Sequence, residues 1–506
     1  MVVTVNFGGQ YAHLIARRIR ELKVKSELVD PNVDIATIKK LNPQAIIFSG
    51  SPHSAYEKNS PKPNPKIYNL GIPILGICYG HQLLAYQLNG KVSGGKSKQY
   101  GKETLTIIKK SPLLNGLSKT ETVWFSHGDH VKSLPFDFEI IASTKNSKIA
   151  AMQNTKLNFY GIQFHPEVTH TPKGMIVLSN FLFGIAKARK DWDLKEIKGK
   201  IVKDLKSKLA GEKVLMAISG GVDSLVAATL IKEAIGKNLY LAFIDTGFLR
   251  SYDLVDFKKA VAKVNFQNVK ILNASGKFLS TLKGIIDPEQ KRQKIAKLYF
   301  EILEAEAKVV KASHLGQGTI YPDRIESAQN SQHADKIKSH HNVTVPYGLK
   351  LEVIEPLADL YKDEVRKIGK LLNLPDEFVN RHPFPGPGLA IRILGEVTEE
   401  RLEIVRKADE IFISELKSTG IYNKVAQSLA ALLPVKSVGV MGDARTYSYI
   451  IALRSVDTLD FMTADWSKIP QGILEKVSSR IVNEVAGVNR VVFDITQKPP
   501  ATIEYE

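Results

Sequence analysis

One cysteine stands in 506 residues, and its surroundings suit a nucleophile. Cys78 lies in Gly76-Ile77-Cys78-Tyr79-Gly80-His81-Gln82. An apolar strand, Pro73–Ile77, runs into it, and a helix, Gln82–Leu88, is expected to run out. The Gly-x-Cys-x-Gly spacing matches a nucleophile elbow, a strained strand-to-helix turn that exposes its central side chain. Flanking glycines are needed because side chains there would clash with strand or helix. The positive end of the helix dipole favours the anionic, reactive form of the sulfur. The competing reading is a buried structural cysteine; the elbow pattern argues against it. A thiolate nucleophile needs a base and a group that orients the base. Gly161-Ile162-Gln163-Phe164-His165-Pro166-Glu167 supplies both. His165 follows a strand, and Glu167 lies two residues on, held by Pro166. Alternate side chains of an extended segment share a side, so a hydrogen bond from His165 to Glu167 is expected. The three residues form a candidate Cys-His-Glu triad.

A second motif is built for anions. Ser219-Gly220-Gly221-Val222-Asp223-Ser224 follows the strand Val214–Ile218 and opens the helix Val222–Ile235. Glycines let backbone N–H groups approach phosphate, and the helix N-terminus adds a positive dipole. The string is not a Walker A loop, because the lysine of that motif is absent.

These motifs must be held by sheets and helices. Val2–Val5, Ala45–Phe48 and Pro73–Ile77 read as buried strands and Tyr11–Leu22 as a helix. Strand–turn–helix alternation argues for a mostly parallel sheet covered by helices. Further β-like stretches lie around Leu105–Ile108, Val123–Phe125, Ile140–Ala142 and Phe159–Phe164. Residues 186–212 are Lys-rich and read as a linking helix. A second α/β unit follows, with strands Leu239–Ile244 and Val269–Leu272 and a long charged helix, Asp287–Lys311. The Pro/Gly string from His382 to Gly388 is punctuation. Beyond it a helix, Glu399–Leu416, and strands such as Ser448–Leu453 and Val491–Ile495 give an α+β pattern. At roughly 100–200 residues per domain the length predicts about three domains. They are placed at 1–190, 191–381 and 382–506.

Composition removes other classes. With 43% hydrophobic and 24% charged residues the chain is ordinary and globular. No apolar run approaches the ~20 residues of a membrane span, so no membrane partner is expected. The start, MVVTVNFGG, lacks the features of a signal peptide. A lone cysteine excludes an intrachain disulfide and a Cys-cluster metal site and fits a reducing, cytoplasmic setting. Seventy Lys+Arg against 52 Asp+Glu give +18. That charge is spread along the chain rather than gathered in a tail, so it reads as a solvated surface and no nucleic-acid partner is expected.

Cys78 in GICYGHQ, with His165 and Glu167 in QFHPEV, resembles the class I glutamine amidotransferases over about residues 1–190. The resemblance implies that Cys78 attacks the side-chain amide of glutamine, with an oxyanion hole from backbone N–H groups near Gly50 and Tyr79. The family usually carries Gly-Gly-Pro where this chain has Gly50-Ser51-Pro52. SGGVDS resembles the pyrophosphate loop of the ATP pyrophosphatases, which cleave ATP between the α and β phosphates. It implies ATP as co-substrate at Ser219, Gly220, Gly221, Val222, Asp223 and Ser224, with Phe243 at the end of the next strand, and Mg²⁺ linked to Asp223.

The rest of the chain resembles the glutamine-hydrolysing GMP synthetase family. The resemblance rests on Leu315–Asp323, Lys338–Val343, Arg381–Gly388 and Lys498–Glu504. Thr344-Val345-Pro346 replaces the family's usual Gly-Gly-Leu-Pro. Glutamine, ATP and XMP are then the implied substrates and a homodimer through the third region the implied assembly. XMP would lie against Pro385, Gly386, Pro387, Gly388, Arg392, Lys498, Thr502, Ile503 and Glu504. Arg292, in the charged stretch Asp287–Arg292, would belong to a mobile lid and contact XMP as well.

Overall fold

A computed structural model describes residues 1–506 except 325–350, 442–443, 459–460, 462 and 499. The motif Lys338–Val343 and the departure at Thr344–Pro346 lie outside the described residues. The chain divides into two compact units, 1–193 and 194–506.

The first unit is built on a nine-stranded sheet. Its strands are β1 (Val2–Val5), β2 (Ser26–Val29), β3 (Ala45–Phe48), β4 (Ile74–Ile77), β5 (Lys91–Ile107), β6 (Thr120–Ser133), β7 (Glu139–Ser143), β8 (Ala151–Asn154) and β9 (Phe159–Ile162). They lie in the order β2-β1-β3-β4-β9-β8-β7-β5-β6. The run from β2 to β9 is parallel, and the remainder antiparallel. Strands β1, β3, β4 and β9 are buried along their whole length, which is why they read as continuous apolar runs rather than as an alternation. β4 and β9 are neighbours, pairing Gly76 with Gly161 and Ile77 with Ile162. That single pairing brings the cysteine elbow beside the strand that leads to His165.

The second unit opens with the helix Leu194–Lys208, shorter than the Lys-rich stretch that announced it. A five-stranded parallel sheet follows: β10 (Val214–Ala217), β11 (Leu239–Asp245), β12 (Asn268–Asn273), β13 (His314–Gly316) and β14 (Glu352–Ile354). Its order is β12-β11-β10-β13-β14. The direction of travel reverses at β10, so the loop after β10 stands at the switch point where such sheets bind ligands. The long charged helix runs Pro288–Val310, with Asp287 as its cap. The last sheet is four-stranded, with β15 (Gln427–Met441), β16 (Ala444–Asp457), β17 (Asp465–Trp466) and β18 (Val488–Asp494). β16 pairs with all three others. The helix Glu399–Ser418 packs on this sheet through Leu402, Val405, Phe412 and Leu416. Among the described residues no helix is long and apolar enough to cross a membrane.

Two departures from the sequence expectations matter. The helix after the elbow begins at Tyr79, not Gln82, so Cys78 is itself the N-cap residue. The stretches expected around Leu105 and Val123 belong to a long antiparallel pair, β5 with 17 residues and β6 with 14.

Glycines at the elbow answer to space. A Cβ on Gly76 would lie 2.4 Å from the carbonyl oxygen of Gly80, and one on Gly80 would lie 2.4 Å from that of Phe48. Gly80→Ala should therefore destabilise the first unit by about 1–3 kcal/mol. Gly199, within the helix Leu194–Lys208, faces open space, so Gly199→Ala should stabilise by roughly 0.5–1 kcal/mol. Scanning calorimetry of both variants checks the contrast, and equal shifts would refute it.

Candidate active site

In the first unit, Cys78 adopts φ 56° and ψ −107°. Positive φ is rare for a residue with a Cβ and marks stored strain at working sites. The turn is held by its own backbone: Cys78 N–H donates to the Ile162 carbonyl at 2.8 Å and Gly80 N–H to the Ser49 carbonyl at 3.0 Å. Cys78 Sγ lies 3.6 Å from the Ser126 carbonyl.

His165 and Glu167 meet as their spacing implied. His165 Nδ1 is 2.6 Å from Glu167 Oε1, with both side chains buried. Burial would lower the pKa of His165. The Glu167 carboxylate and the Cys78 sulfur, itself within hydrogen-bonding reach of the ring, outweigh that and raise it to about 10. The imidazole is therefore held protonated between Glu167 and Cys78. Gly50 lies beside both partners: a Cβ on it would be 3.6 Å from His165 Cε1 and 3.9 Å from Cys78 Cβ. Tyr79 begins the helix, where a backbone N–H has no partner within the helix. Gly50, on its loop, and Tyr79, at the helix start, thus both lie next to Cys78.

Several residues support this centre that the sequence did not single out. Tyr11 sets its ring edge-on to His165 at 4.9 Å between centroids. A Cβ on Gly9 would sit 2.3 Å from the Gly50 carbonyl oxygen, so that loop needs glycine. Thr171 accepts from Trp124 N–H and donates to the His165 carbonyl, at 3.0 and 2.7 Å. Arg18 donates to the Glu167 carbonyl at 2.9 Å. The Gly8-Gly9 pair after β1 was the only local trace of this wall. His81, within the motif itself, is structural: burial lowers it to about 4 and its Nε2 lies 3.2 Å from the Ile149 carbonyl oxygen.

In the second unit the loop after β10 is closed by its own hydroxyls. Ser219 Oγ and Ser224 Oγ are 3.2 Å apart, and Ser224 Oγ donates to the Gly221 carbonyl at 3.0 Å. Gly220 has φ 75°. Gly318 of the Leu315–Asp323 motif packs on the start of the following helix, where a Cβ would lie 3.0 Å from Ser224 N. One Asp223 oxygen, Oδ2, pairs with Lys362, a partner the sequence did not announce. The other, Oδ1, is buried without a hydrogen-bond partner. Val222 and the Phe243 side chain are buried, the latter stacked on Phe257 at 4.3 Å. Contact with a nucleotide at Phe243 would therefore run through its backbone.

The expected acceptor residues are partly gathered. Gly388 has φ 65° and docks on the Phe248 carbonyl, where a Cβ would lie 2.3 Å from the oxygen. It ends the turn Pro385-Gly386-Pro387 and starts the short helix carrying Arg392. Arg392 is fully buried. It holds Glu504 with two bonds, 3.0 and 2.9 Å, and Asp409 at 3.0 Å. Arg292 donates to the Glu506 carbonyl, and its neighbour Lys291 pairs with the Glu506 carboxylate. Ile503 is buried against Leu429 and Val456. The Lys498 amine donates to the Phe461 carbonyl at 2.6 Å, and the Thr502 hydroxyl to the Glu504 carbonyl.

Known proteins share these segments. Residues 3–185 match the family model described as glutamine amidotransferase class-I, residues 194–297 that described as NAD synthase, and residues 414–505 that described as GMP synthase C terminal domain. Proteins named GMP synthase (glutamine-hydrolyzing) from Aquifex aeolicus, Fusobacterium nucleatum and Carboxydothermus hydrogenoformans are each 50% identical to this chain. Each alignment covers 100% of this chain and 99% of the relative.

The His165 ion pair sets a pH expectation. Its folded pKa lies above the ordinary histidine value, so its contribution to stability is complete below about 6.5 and is lost as pH rises through about 10. Nitrogen-15 NMR of His165 should find no titration between pH 6 and 8. Glu167→Gln should bring titration into or near that window. A midpoint near 6.5 in the unaltered protein would refute the ion pair.

Proposed function

This chain belongs to the glutamine-hydrolysing GMP synthase family, and on that premise we propose how its residues divide the family reaction. The reaction hydrolyses glutamine to ammonia, uses ATP to adenylylate XMP, and lets ammonia displace AMP to give GMP, with pyrophosphate released. The observation that carries the assignment of the first half is the buried contact of His165 with Glu167 beside Cys78.

The Cys78 thiolate attacks the side-chain carbonyl carbon of glutamine. Backbone N–H groups of Gly50 and Tyr79 receive the developing oxyanion. His165, already protonated, gives its proton to the departing nitrogen, so ammonia leaves and a glutamyl thioester remains. His165, now neutral, takes a proton from water as that water attacks the thioester. Glutamate leaves and the thiolate–imidazolium pair is restored. Glu167 keeps the ring in one orientation throughout.

The second half belongs to residues 219–224. Backbone N–H groups and the Ser219 and Ser224 hydroxyls hold the phosphates of ATP. The residues fit Mg²⁺: Asp223 presents a buried, partnerless oxygen, and this cation takes one or two carboxylates plus substrate phosphates. Bound there, it would neutralise charge on the departing pyrophosphate. XMP lies between the turn Pro385–Gly388 and the tail, near Lys498, Thr502 and Ile503. Arg392 is saturated by carboxylates, so its part is to order Glu504 and the tail. Arg292 braces the same tail from the long helix. A homodimer is supported by the hairpin of β15 and β16, which exposes Val438, Val440 and Tyr447 by 60%, 73% and 67%; sedimentation tests it.

The deciding assay mixes XMP, ATP, Mg²⁺ and glutamine. GMP, AMP and pyrophosphate should appear in equal amounts, with no ADP. Cys78→Ala should abolish synthesis from glutamine and spare synthesis from added ammonia. Stoichiometric ADP would overturn the ATP assignment. Equal loss of both activities in a folded Cys78→Ala protein would overturn the division of labour.

A further inference from the structure

Between the phosphate loop and the tail runs a continuous line of polar contacts through the interior of the second unit. The Gly220 carbonyl accepts from Arg381 Nη1 at 3.1 Å. Arg381 pairs with Asp253 Oδ1. Asp253 Oδ2 accepts from the backbone N–H of Arg250 at 2.8 Å. The side chain of Arg250 then turns to Asp409, with Nε 2.9 Å from Oδ2. Asp409 Oδ1 accepts from Arg392 Nη1 at 3.0 Å, and Arg392 holds Glu504. Every charged side chain from Arg381 to Arg392 is less than one-tenth exposed. The ring of Phe384 lies under both guanidiniums, 4.5 Å from Arg250 and 5.1 Å from Arg392.

One joint in this line is loose. The contact of Arg250 with Asp409 has ion-pair distance without hydrogen-bond alignment, and both terminal nitrogens of Arg250 are buried without a partner. Buried donors are nearly always satisfied in folded proteins. Arg250 is thus held by one carboxylate, whereas Arg392 is held by two. Arg250 also sits where a change in its orientation would be felt on both sides. It follows the carboxyl end of β11, and its neighbours Gly247 and Leu249 accept from Arg406 of the helix that carries Asp409.

We propose that Arg250, Asp253 and Asp409 are positioning residues that couple the ATP loop to the XMP tail. Occupation of Gly220–Ser224 sets Arg381 and Asp253, which align Arg250 on Asp409; that fixes Arg392, Glu504 and the tail. By linkage the effect is mutual: XMP tightens ATP binding by the factor with which ATP tightens XMP binding. The proposal rests on the placement of ATP and XMP given above.

The test is a coupling measurement on the full chain with Mg²⁺ present. An ATP analogue with a methylene bridge between the α and β phosphates cannot be cleaved there. Its Kd is measured by calorimetry with no XMP and with saturating XMP. The unaltered protein should bind it at least fivefold tighter with XMP. In Asp409→Asn the ratio should fall to within twofold of one. Asp253→Asn breaks a different link and should do the same, which keeps the test decisive if one variant fails to fold. A wild-type ratio of one, or a ratio unchanged in a folded variant, overturns the proposal. Failure of the unaltered protein to bind either ligand would instead reject the placement of the sites.

Discussion

Everything in the first unit depends on how tightly backbone meets backbone at Cys78. Strand, turn and helix cross there with no volume for a Cβ at Gly76 or Gly80, and Cys78 pays with a left-handed φ. The closeness has a chemical return. The turn leaves the sulfur at a helix start, within reach of His165, and beside a loop whose glycines also touch backbone. A looser elbow would still fold as strand and helix. It would not hold three groups from β4, β9 and the Gly50 loop within bonding reach.

The second unit solves a different problem, which is to keep charge inside. Arg250, Arg392 and Asp409 have almost no exposure. Burying ions is costly unless they are paired and their remaining donors satisfied. Arg392 meets that condition through Asp409 and Glu504, with Gln427 adding a bond to Glu504 at 2.7 Å. Arg250 meets it only in part. Such a network contributes little net stability compared with apolar packing of similar volume. Its value lies in geometry, since each link has few orientations that satisfy both neighbours.

The legible part of the site is local in sequence: Cys78 with its glycines, His165 with Glu167, and the string 219–224 each fall within a few residues, so spacing marks them as candidates and the family resemblance supplies the substrates. Parallel strands were legible for the same reason, as short buried apolar runs. Partners distant in the chain were not. Lys362 meets Asp223 across 139 residues and Arg381 meets Gly220 across 161; no pattern in either segment announces the other. The helix starts at Tyr79, earlier than its sequence suggests, because Tyr-Gly-His has weak helix propensity. Packing against Phe48, not propensity, selects Gly80. The strand β5 is longer than its sequence suggests, because Lys91–Lys102 is rich in Lys, Gly and Ser, and its pairing with β6, not a core-facing alternation, makes it a strand.

That the proposed nucleophile, Cys78, is also the sole thiol of these 506 residues shapes how this protein meets oxidants. A thiolate reacts with peroxide to a sulfenic acid, and many proteins then rescue it by condensation with a neighbouring cysteine. No such resolving partner exists within this chain. Recovery must come from an outside thiol before further oxidation makes the loss permanent. Burial of Cys78, only 5% exposed, is then a shield as well as a reaction chamber. Covalent thiol reagents that gain entry have one destination, so the stoichiometry of their uptake counts intact amidotransferase centres directly.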